Sequence, residues 1–255
     1  MQGIDISHYQ KNINLAQVKG LDFVIIKATQ GTGFIDPSLK DQISQAVKLG
    51  IPFGLYHYAS QGGAEKEAQH FIDTIKGYIG KAILVLDWES GSNKNFNNPG
   101  YARAFLDYVK EKTGVTPFIY MSKSVCRQFK WGDTAAKYPL WVAQYKNKKP
   151  TGWQNEPWTD AKGYGAWISP LIFQYTSTGR VEGYGGNLDL DIAYISESVW
   201  DGYTKSSKEI DVDAIAQEVI DGKWGNGEDR KKRLTEAGYD YKVIQSRVNA
   251  LLMQK

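Results

Sequence analysis

The sequence predicts an α/β fold: an irregular TIM-like (β/α) barrel with incomplete C-terminal helices, followed by a small three-helix module. Three observations predict it. Short β-type runs alternate with helical patterns through the first two thirds of the 255 residues. After about Ser122 the helical periodicity fades while β-type runs continue, and beyond residue 209 the pattern is helical.

Eight short runs predict the strands of the barrel. Their β-branched and aromatic residues favour extended backbone. The runs are "GIDIS" (3–7), "FVIIKAT" (23–29), "PFGLYHYA" (52–59), "AILVLDWE" (82–89), "PFIYMS" (117–122), "LWVAQY" (140–145), "LIFQYT" (171–176) and "GGNLDLDIAY" (185–194). We expect the last strand to close the barrel beside the first.

Apolar residues follow helical spacing in residues 37–49, 64–78 and 99–112, and Gly50 and Gly114 end two of these segments. From Ser122 to Trp200 the chain is rich in Trp, Gly, Pro and Tyr. The later strands are therefore expected to be joined by loops or hairpins rather than by full helices.

The composition also predicts the domain organisation. Residues 1–200 form the barrel, and the polar, small residues "DGYTKSSKE" (201–209) form a linker. Residues 210–255 form three helices with a glycine-rich turn, "GKWGNG" (222–227). A unit of this size is near the lower limit for independent folding, so its core should be small and dense.

Charge and cysteine content exclude several classes of protein. The net charge of +3 leaves no strong basic footprint, which argues against nucleic acid as a partner. The single cysteine, Cys126, cannot form an internal disulfide framework and is expected to be a buried small hydrophobic residue. The N-terminal "MQGIDIS" does not resemble a leader peptide, and no apolar run is long enough to span a membrane. A monomer without membrane contact is expected.

Acidic residues stand where predicted strands end. Asp87 and Glu89 bracket Trp88 at the end of the fourth strand, Asp5 lies in the first and Asp189 in the last. Side chains at the C-terminal ends of barrel strands converge on one pocket. Residues i and i+2 of a strand share a face, so the carboxyl groups of Asp87 and Glu89 should lie roughly 6 to 7 Å apart.

We expect the two carboxyl groups to be surrounded by the aromatic side chains of Trp88, Tyr56, Tyr58 and Tyr120. Two carboxyl groups at this separation cannot both ionise freely, so the pKa of one of them should rise. A protonated carboxyl beside an ionised one suits glycosidic bond cleavage. Glu89, with the longer side chain, is predicted to be the general acid. Asp87 would stabilise the cationic centre directly or orient a 2-acetamido group of the substrate as internal nucleophile.

The alternative without a catalytic role is that an aspartate at a strand end caps a turn or a helix. Four carboxylates also suit Mg²⁺ or Ca²⁺, but the three histidines are not spaced as a metal-binding pair. We predict no metal and no other cofactor.

These residues resemble the family 25 glycoside hydrolases, the lysozymes that cut the β-1,4 bond between N-acetylmuramic acid and N-acetylglucosamine. The matching stretches are "GIDISHYQ", "FVIIKATQGTGFIDPSL", "GIPFGLYHYAS", "LVLDWES", "PFIYMS", "PLWVAQY" and "IFQYTSTGRVEGYGGNLDLDIAY". The resemblance covers about residues 2 to 200 and implies a flattened barrel. It implies that Glu89 is the acid, Asp87 the second active carboxylate, and Asp5 and Asp189 the supporting aspartates. Because the family usually has Asp followed two residues later by Asn, "LDLD" leaves Asp191 as an alternative to Asp189.

Aromatic and amide side chains near the strand ends are predicted to bind sugar. Aromatic rings stack on pyranose faces and glutamines exchange hydrogen bonds with hydroxyl or acetamido groups, although each of these residues also fits plain core packing. The candidates are Tyr56, Tyr58, Tyr120, Trp141, Gln144 and Gln174.

Residues 210–252 resemble the CW_7 cell-wall-binding repeat of phage endolysins, which implies binding of muropeptide. The glycines of "WGNG", ending at Gly227, expose backbone amides near Arg230, whose guanidinium can grip carboxylates or carbonyl groups. Asp213 can accept amide hydrogens. Alternatively, Asp213 caps a helix and Trp224 fills a small core.

The prediction is therefore a muramidase that hydrolyses bacterial peptidoglycan and carries a small wall anchor. An endolysin of this kind would act from the host cytoplasm, be released by a holin and reach the cell wall, or else act outside the cell. The alternatives are a peptidoglycan-binding protein without catalytic activity and a chitinase-like glycosidase. The anomeric outcome, host range and preferred peptide stem stay open.

Overall fold

A computed structural model describes residues 1–206, 212–236, 239 and 241–253. Backbone contacts divide the chain into two compact units, Met1–Ser206 and Ser207–Lys255. The predicted linker residues 207–209 lie outside the described residues. Among the helices that are described, none has both the length and the apolar character needed to cross a bilayer.

Nine strands build the sheet of the first unit. They are β1 (Gln2–Ile6), β2 (Phe23–Gln30), β3 (Phe34–Ile35), β4 (Phe53–Tyr58), β5 (Ile83–Asp87), β6 (Phe118–Ser122), β7 (Leu140–Ala143), β8 (Ile172–Gly179) and β9 (Leu188–Ala193). The strand order is β1-β9-β8-β7-β6-β5-β4-β2, and β1 also pairs with β2, so eight strands form a closed barrel. The eight predicted strands are confirmed, and the short β3 was not predicted.

Strand direction changes at the closure of the barrel. Neighbouring strands are parallel from β1 through β2 and β4 to β8, but β9 is antiparallel to both β8 and β1. The start of β9 therefore lies at the same rim as the carboxyl ends of the other strands. In this register Asp189 is directly opposite Asp5.

Helices in the first unit follow the early strands and then shorten. They are α1 (Leu39–Leu49), α2 (Ala64–Ile75), α3 (Pro99–Thr113), α4 (Lys123–Gln128), α5 (Gly132–Ala135) and α6 (Glu197–Thr204), with 3-10 turns at His8–Gln10, Leu15–Gln17 and Lys76–Tyr78. The three predicted helices are confirmed, and glycines with positive φ end α1 and α3. Residues 144–171 connect β7 to β8 without a helix.

Because successive side chains of a strand point to opposite faces of the sheet, the barrel has an outer and an inner apolar core. Outward side chains such as Leu55, Leu84 and Leu86 pack with helix residues into one cluster. Inward side chains, among them Phe23 and Val85, form a second cluster inside the barrel.

Helix α6 corrects the predicted linker, which was expected to begin at residue 201. The helix continues to Thr204, and Trp200 and Thr204 are buried. The Trp200 ring packs 4.9 Å from that of Phe23 and joins the inner cluster. Because the buried indole anchors helix α6, residues 201–204 belong to the barrel domain. Their polar composition did not indicate this.

The second unit contains α7 (Val212–Ile220), α8 (Gly227–Glu236) and α9 (Tyr241–Leu252). Its core is one small cluster made by Ala216, Val219, Leu234, Ile244 and Val248. Three helices around a compact apolar centre agree with the predicted module.

Candidate active site

A cleft of about 280 Å³ opens at the rim where β1 to β8 end and β9 begins. Four acidic side chains line it: Asp5, Asp87, Glu89 and Asp189. The structure thus brings together the four carboxylates predicted from three different strands.

Asp87 and Glu89 reach the cleft because residues i and i+2 share a face of an extended chain. Asp87 is the last residue of β5 and is buried, whereas Glu89 lies just beyond the strand and is half-buried. Trp88 between them corrects one expectation, because it does not wall the cleft. It is fully buried on the outer side of the sheet, where it packs against Phe96 and Trp131.

Burial dominates the electrostatics of this pair. It raises the pKa of Asp87 well above 3.8, and the charge of Glu89 raises it further. Burial also raises the pKa of Glu89, while the Lys27 ammonium group opposes both changes. The site can therefore hold a proton on a carboxyl at a pH at which an ordinary carboxyl would be ionised.

Asp5 and Asp189 face each other across the β1–β9 pair. Asp5 is buried, and its Oδ2 accepts a 2.6 Å hydrogen bond from Gln174 Nε2. Burial, with the charge of Glu89, raises the pKa of Asp189 to about 6. Burial, followed by the charges of Asp189 and Asp191, raises the pKa of Asp5.

Asp191 follows Asp189 by two residues on β9, on the same face of the strand, and is fully buried. Its Oδ1 accepts a 2.8 Å hydrogen bond from Trp141 Nε1, whereas its Oδ2 meets no donor among the described residues. Its carboxyl group is in hydrogen-bonding contact with that of Asp5. Burial raises the pKa of Asp191 to about 8. Of the two aspartates in "LDLD", Asp189 lines the cleft and Asp191 supports its floor.

Five of the six predicted sugar-binding residues line the cleft: Tyr56, Tyr58, Tyr120, Trp141 and Gln174. Gln144 does not. Its Oε1 accepts hydrogen bonds from the Thr159 hydroxyl and the Asp160 backbone amide, and it lines a neighbouring pocket together with Glu89. Its backbone belongs to the loop after β7, where the alternation of the strand no longer fixes side-chain direction.

Lys27 and Tyr145 also line the cleft and were not predicted. Lys27 is buried, with its ammonium group 5.0 Å from the Tyr58 ring and 2.8 Å from Gln30 Oε1. Burial lowers its pKa, and the charges of Asp87 and Glu89 oppose this change. Alternation offered a signal for Lys27, which continues the inward positions Phe23 and Ile25. Tyr145 lies in the loop after β7, where alternation gives no such signal.

The Gln174 amide connects the aromatic wall to Asp5. Its Oε1 accepts the hydroxyl protons of Tyr120 at 2.8 Å and Tyr145 at 2.5 Å, and its Nε2 therefore points to Asp5. This chain of hydrogen bonds fixes the orientation of the Asp5 carboxyl group.

Comparison with known proteins places this geometry in a family. Residues 4–184, well over half of the chain, match the model of glycosyl hydrolases family 25. The chain belongs to glycosyl hydrolase family 25. Residues 213–252 match a second model, the CW_7 repeat.

Curated relatives of this family 25 chain include a phage protein with a match along nearly its whole length. The lysozyme of Streptococcus phage Cp-7 is 30% identical over 98% of this chain and 67% of the relative. The autolytic lysozyme of Clostridium acetobutylicum is 31% identical over 75% of this chain and 55% of the relative. The chain thus spans between about half and two thirds of the length of these proteins.

Solved structures share the barrel. The lysozyme of Streptomyces coelicolor aligns with a TM-score of 0.65 at 26% identity, covering 80% of this chain and 96% of that one. The catalytic domain of endolysin ply40, from a phage of Listeria monocytogenes, aligns with a TM-score of 0.61 at 29% identity, covering 81% and 98%.

In the CW_7 unit of this family 25 protein, the predicted binding residues already have partners within the unit. Asp213 is exposed and accepts two hydrogen bonds from Arg247, at 2.5 and 2.8 Å. Trp224 is half-buried and donates a hydrogen bond to Glu218. Gly227 begins α8 with a φ of +56°, a conformation that favours glycine.

The guanidinium group of Arg230 holds the glycine-rich turn of the same unit. It donates hydrogen bonds to the Gly225 carbonyl, to Asn226 Oδ1 and to Gln245 Oε1. Arg230 therefore holds this turn in place, and part of its donor capacity is used in doing so.

Proposed function

We propose that the barrel is an N-acetylmuramidase, which hydrolyses the β-1,4 bond between N-acetylmuramic acid and N-acetylglucosamine in bacterial peptidoglycan. One observation carries the proposal: Glu89, half-buried with a raised pKa, lines one cleft with the buried Asp87. A carboxyl group that keeps its proton beside a second carboxyl group is the arrangement that glycosidic cleavage requires. Membership of family 25 and the similarity to phage and bacterial lysozymes support the same substrate.

The reaction begins with proton transfer from the Glu89 carboxyl group to the glycosidic oxygen. As the bond between this oxygen and the anomeric carbon breaks, the electron pair stays with the oxygen and positive charge develops at the carbon. Water then adds to the anomeric carbon and loses a proton, so that one bond is cleaved and one water is consumed.

Asp87 is proposed to stabilise the positive charge, either directly or by orienting the substrate acetamido group for attack on the anomeric carbon. The Lys27 charge opposes the rise in the pKa of Asp87 and so favours its ionised form. Asp5 and Asp189 complete the negative wall, and the Gln174 amide keeps Asp5 in place. Attack by the acetamido group leads to retention, so inversion in the first released product would exclude that role of Asp87.

The second unit is proposed to bind muropeptide and to hold the enzyme on the bacterial wall. Its match to the CW_7 repeat supports this role, and the similarity to the Cp-7 lysozyme along nearly the whole chain supports a phage endolysin. One copy of the repeat gives one attachment point. The cleft supplies a second contact with the same polymer, and this raises the effective concentration.

The decisive test measures release of reducing ends from purified peptidoglycan and from chitin by the wild-type protein and by Glu89→Gln. We expect wild-type turnover on peptidoglycan and a loss of at least about 100-fold in the variant, because removal of a general acid costs about 10²- to 10⁴-fold. The variant should keep its circular dichroism spectrum and its binding to cell walls. Cleavage of chitin alone would assign a chitinase, and absence of any turnover would assign a binding protein.

A further inference from the structure

A second pocket, of about 160 Å³, lies beside the proposed catalytic cleft. Its walls come from the loop after β7 and from β8. The side chains that line it include Lys146, Lys149, Thr151, Gln154, Trp158 and Tyr175.

Two pairs of consecutive residues connect the pocket to the cleft. Tyr145 lines the cleft and Lys146 lines the pocket. On β8, Ser177 lines the cleft and Thr176 lines the pocket. Because consecutive Cα atoms are about 3.8 Å apart, the wall between the two spaces is about one residue thick. Because successive side chains of an extended chain point to opposite faces, the two spaces lie on opposite sides of this wall, and Tyr175 packs in the outer cluster. A substituent on a sugar in the cleft would reach the pocket over the rim of the barrel.

The charged side chains that line this pocket are both lysines. None of its lining residues is acidic, and within the described part of the chain Lys146 and Lys149 form no ion pair. Tyr175 is buried, and its hydroxyl oxygen accepts the Gln154 backbone amide at 3.2 Å. Its proton has no acceptor among the residues that the structure describes, so it can donate to a ligand.

The Thr151 hydroxyl adds another donor of the same kind. Its oxygen accepts a 2.8 Å hydrogen bond from Gln154 Nε2, so its proton also needs an acceptor. Two ammonium groups and two hydroxyl protons favour an anion, and charge-assisted hydrogen bonds to carboxylate are the stronger kind. Trp158 is 43% exposed and offers a flat apolar face beside these donors.

We propose that this pocket binds a carboxylate of the peptide stem carried by the muramic acid residue in the cleft. The inference rests on the proposed function, because that substrate bears the stem on the lactyl ether of its sugar ring. The stem combines free carboxylates with small apolar side chains, which matches two lysines beside an exposed indole. Chitin has no such group, so the pocket would favour peptidoglycan over a chemically similar glycan.

The test compares Lys146→Gln/Lys149→Gln with the matched control Lys148→Gln/Lys162→Gln, in which two exposed lysines outside the pocket lose the same charge. The substrates are peptidoglycan freed of teichoic acid and the same glycan after an amidase has removed the stems. We expect the pocket variant to raise KM about tenfold on stem-bearing glycan, with kcat unchanged, because the lost contact binds substrate and transition state equally. KM on stripped glycan should not change, and the control should match the wild-type protein on both.

Equal KM for the pocket variant and the control on stem-bearing glycan would overturn the inference, as would an equal rise on stripped glycan. A rise confined to walls that retain teichoic acid would assign the lysines to its phosphates instead. Binding of muramoyl dipeptide, which has a free carboxylate, to Glu89→Gln with and without the two lysine changes decides the matter independently of turnover. Wild-type inactivity on both glycans would contradict the proposed function, whereas this binding measurement would still test the pocket.

Discussion

Replacing Asp191 by Asn should stabilise the barrel increasingly as pH rises. Asp191 is fully buried, with Oδ1 facing the Trp141 indole and its carboxyl group in contact with Asp5. Two carboxyl groups in hydrogen-bonding contact need one proton between them. Asn offers an amide oxygen to the Trp141 indole and an amide hydrogen to Asp5, and it has no titratable proton.

The magnitude follows from proton linkage. Folding raises the pKa of Asp191 from 3.8 to about 8, so the folded protein holds a proton that the unfolded chain has lost. The stabilisation is complete below pH 3.8 and disappears as pH rises through about 8. Each pH unit within this window removes about 1.4 kcal/mol from the free energy of unfolding. Between pH 5 and pH 7, Asp191→Asn should gain about 3 kcal/mol over the wild-type protein.

Urea unfolding at pH 5, 6 and 7, followed by tryptophan fluorescence, measures this difference. Seven of the eight tryptophans precede Ser207, so the signal reports mainly on the barrel. The control Asp73→Asn removes one exposed carboxylate from α2 and should show no such slope. A stability difference between Asp191→Asn and wild type that stays constant with pH would refute the argument, because it would mean that Asp191 is ionised in the folded protein.

Two further predictions concern activity. Turnover should fall as pH rises through the raised pKa of Glu89, because the general acid must carry its proton. Lys27→Met should move this decline in kcat to higher pH, since the ammonium group lowers the pKa of Glu89 and Asp87; an unchanged or lower alkaline limit would contradict the assigned electrostatics. Deleting Ser207–Lys255 should weaken lysis of whole cells more than cleavage of soluble glycan fragments, measured by turbidity and by reducing ends. Equal losses in the two assays would indicate that this unit stabilises the barrel rather than anchoring it.

Much of the barrel could be predicted because its strands are short apolar runs and its first helices exceed ten residues. Periodicity needs length, so α4, with six residues, and α5, with four, gave no detectable pattern. Helix α6 was assigned in part to a linker because only Trp200 and Thr204 of its residues are buried. The direction of β9 was not predicted, because alternation is the same for a strand read in either direction.

Site residues were predicted where they share one face of an extended chain. The prediction failed for Gln144, which lies beyond the end of its strand. Asp87 and Glu89 were correctly placed together, and the same alternation sends Trp88 to the outer core. Placing Asp87 and Glu89 in the cleft already puts Trp88 on the opposite face, so the expectation that Trp88 walls the cleft did not follow from alternation. Gln144 lies beyond β7 and turns away to hold Thr159 and Asp160. Lys27 was overlooked because its neighbours suggested an apolar strand interior.

The crowding of acids at this rim has opposite consequences for stability and for chemistry. Burial raises the pKa of Asp5, Asp87, Glu89 and Asp189, so the barrel loses stability as pH rises towards neutrality. The same burial keeps the proton on Glu89 that the proposed reaction uses. Asp191 does not line the cleft, but its raised pKa also lowers the free energy of unfolding as pH rises. If Asp191→Asn gains stability and keeps its turnover, then part of the acid cluster serves only to support Asp5, and the carboxylates needed for chemistry are those that line the cleft.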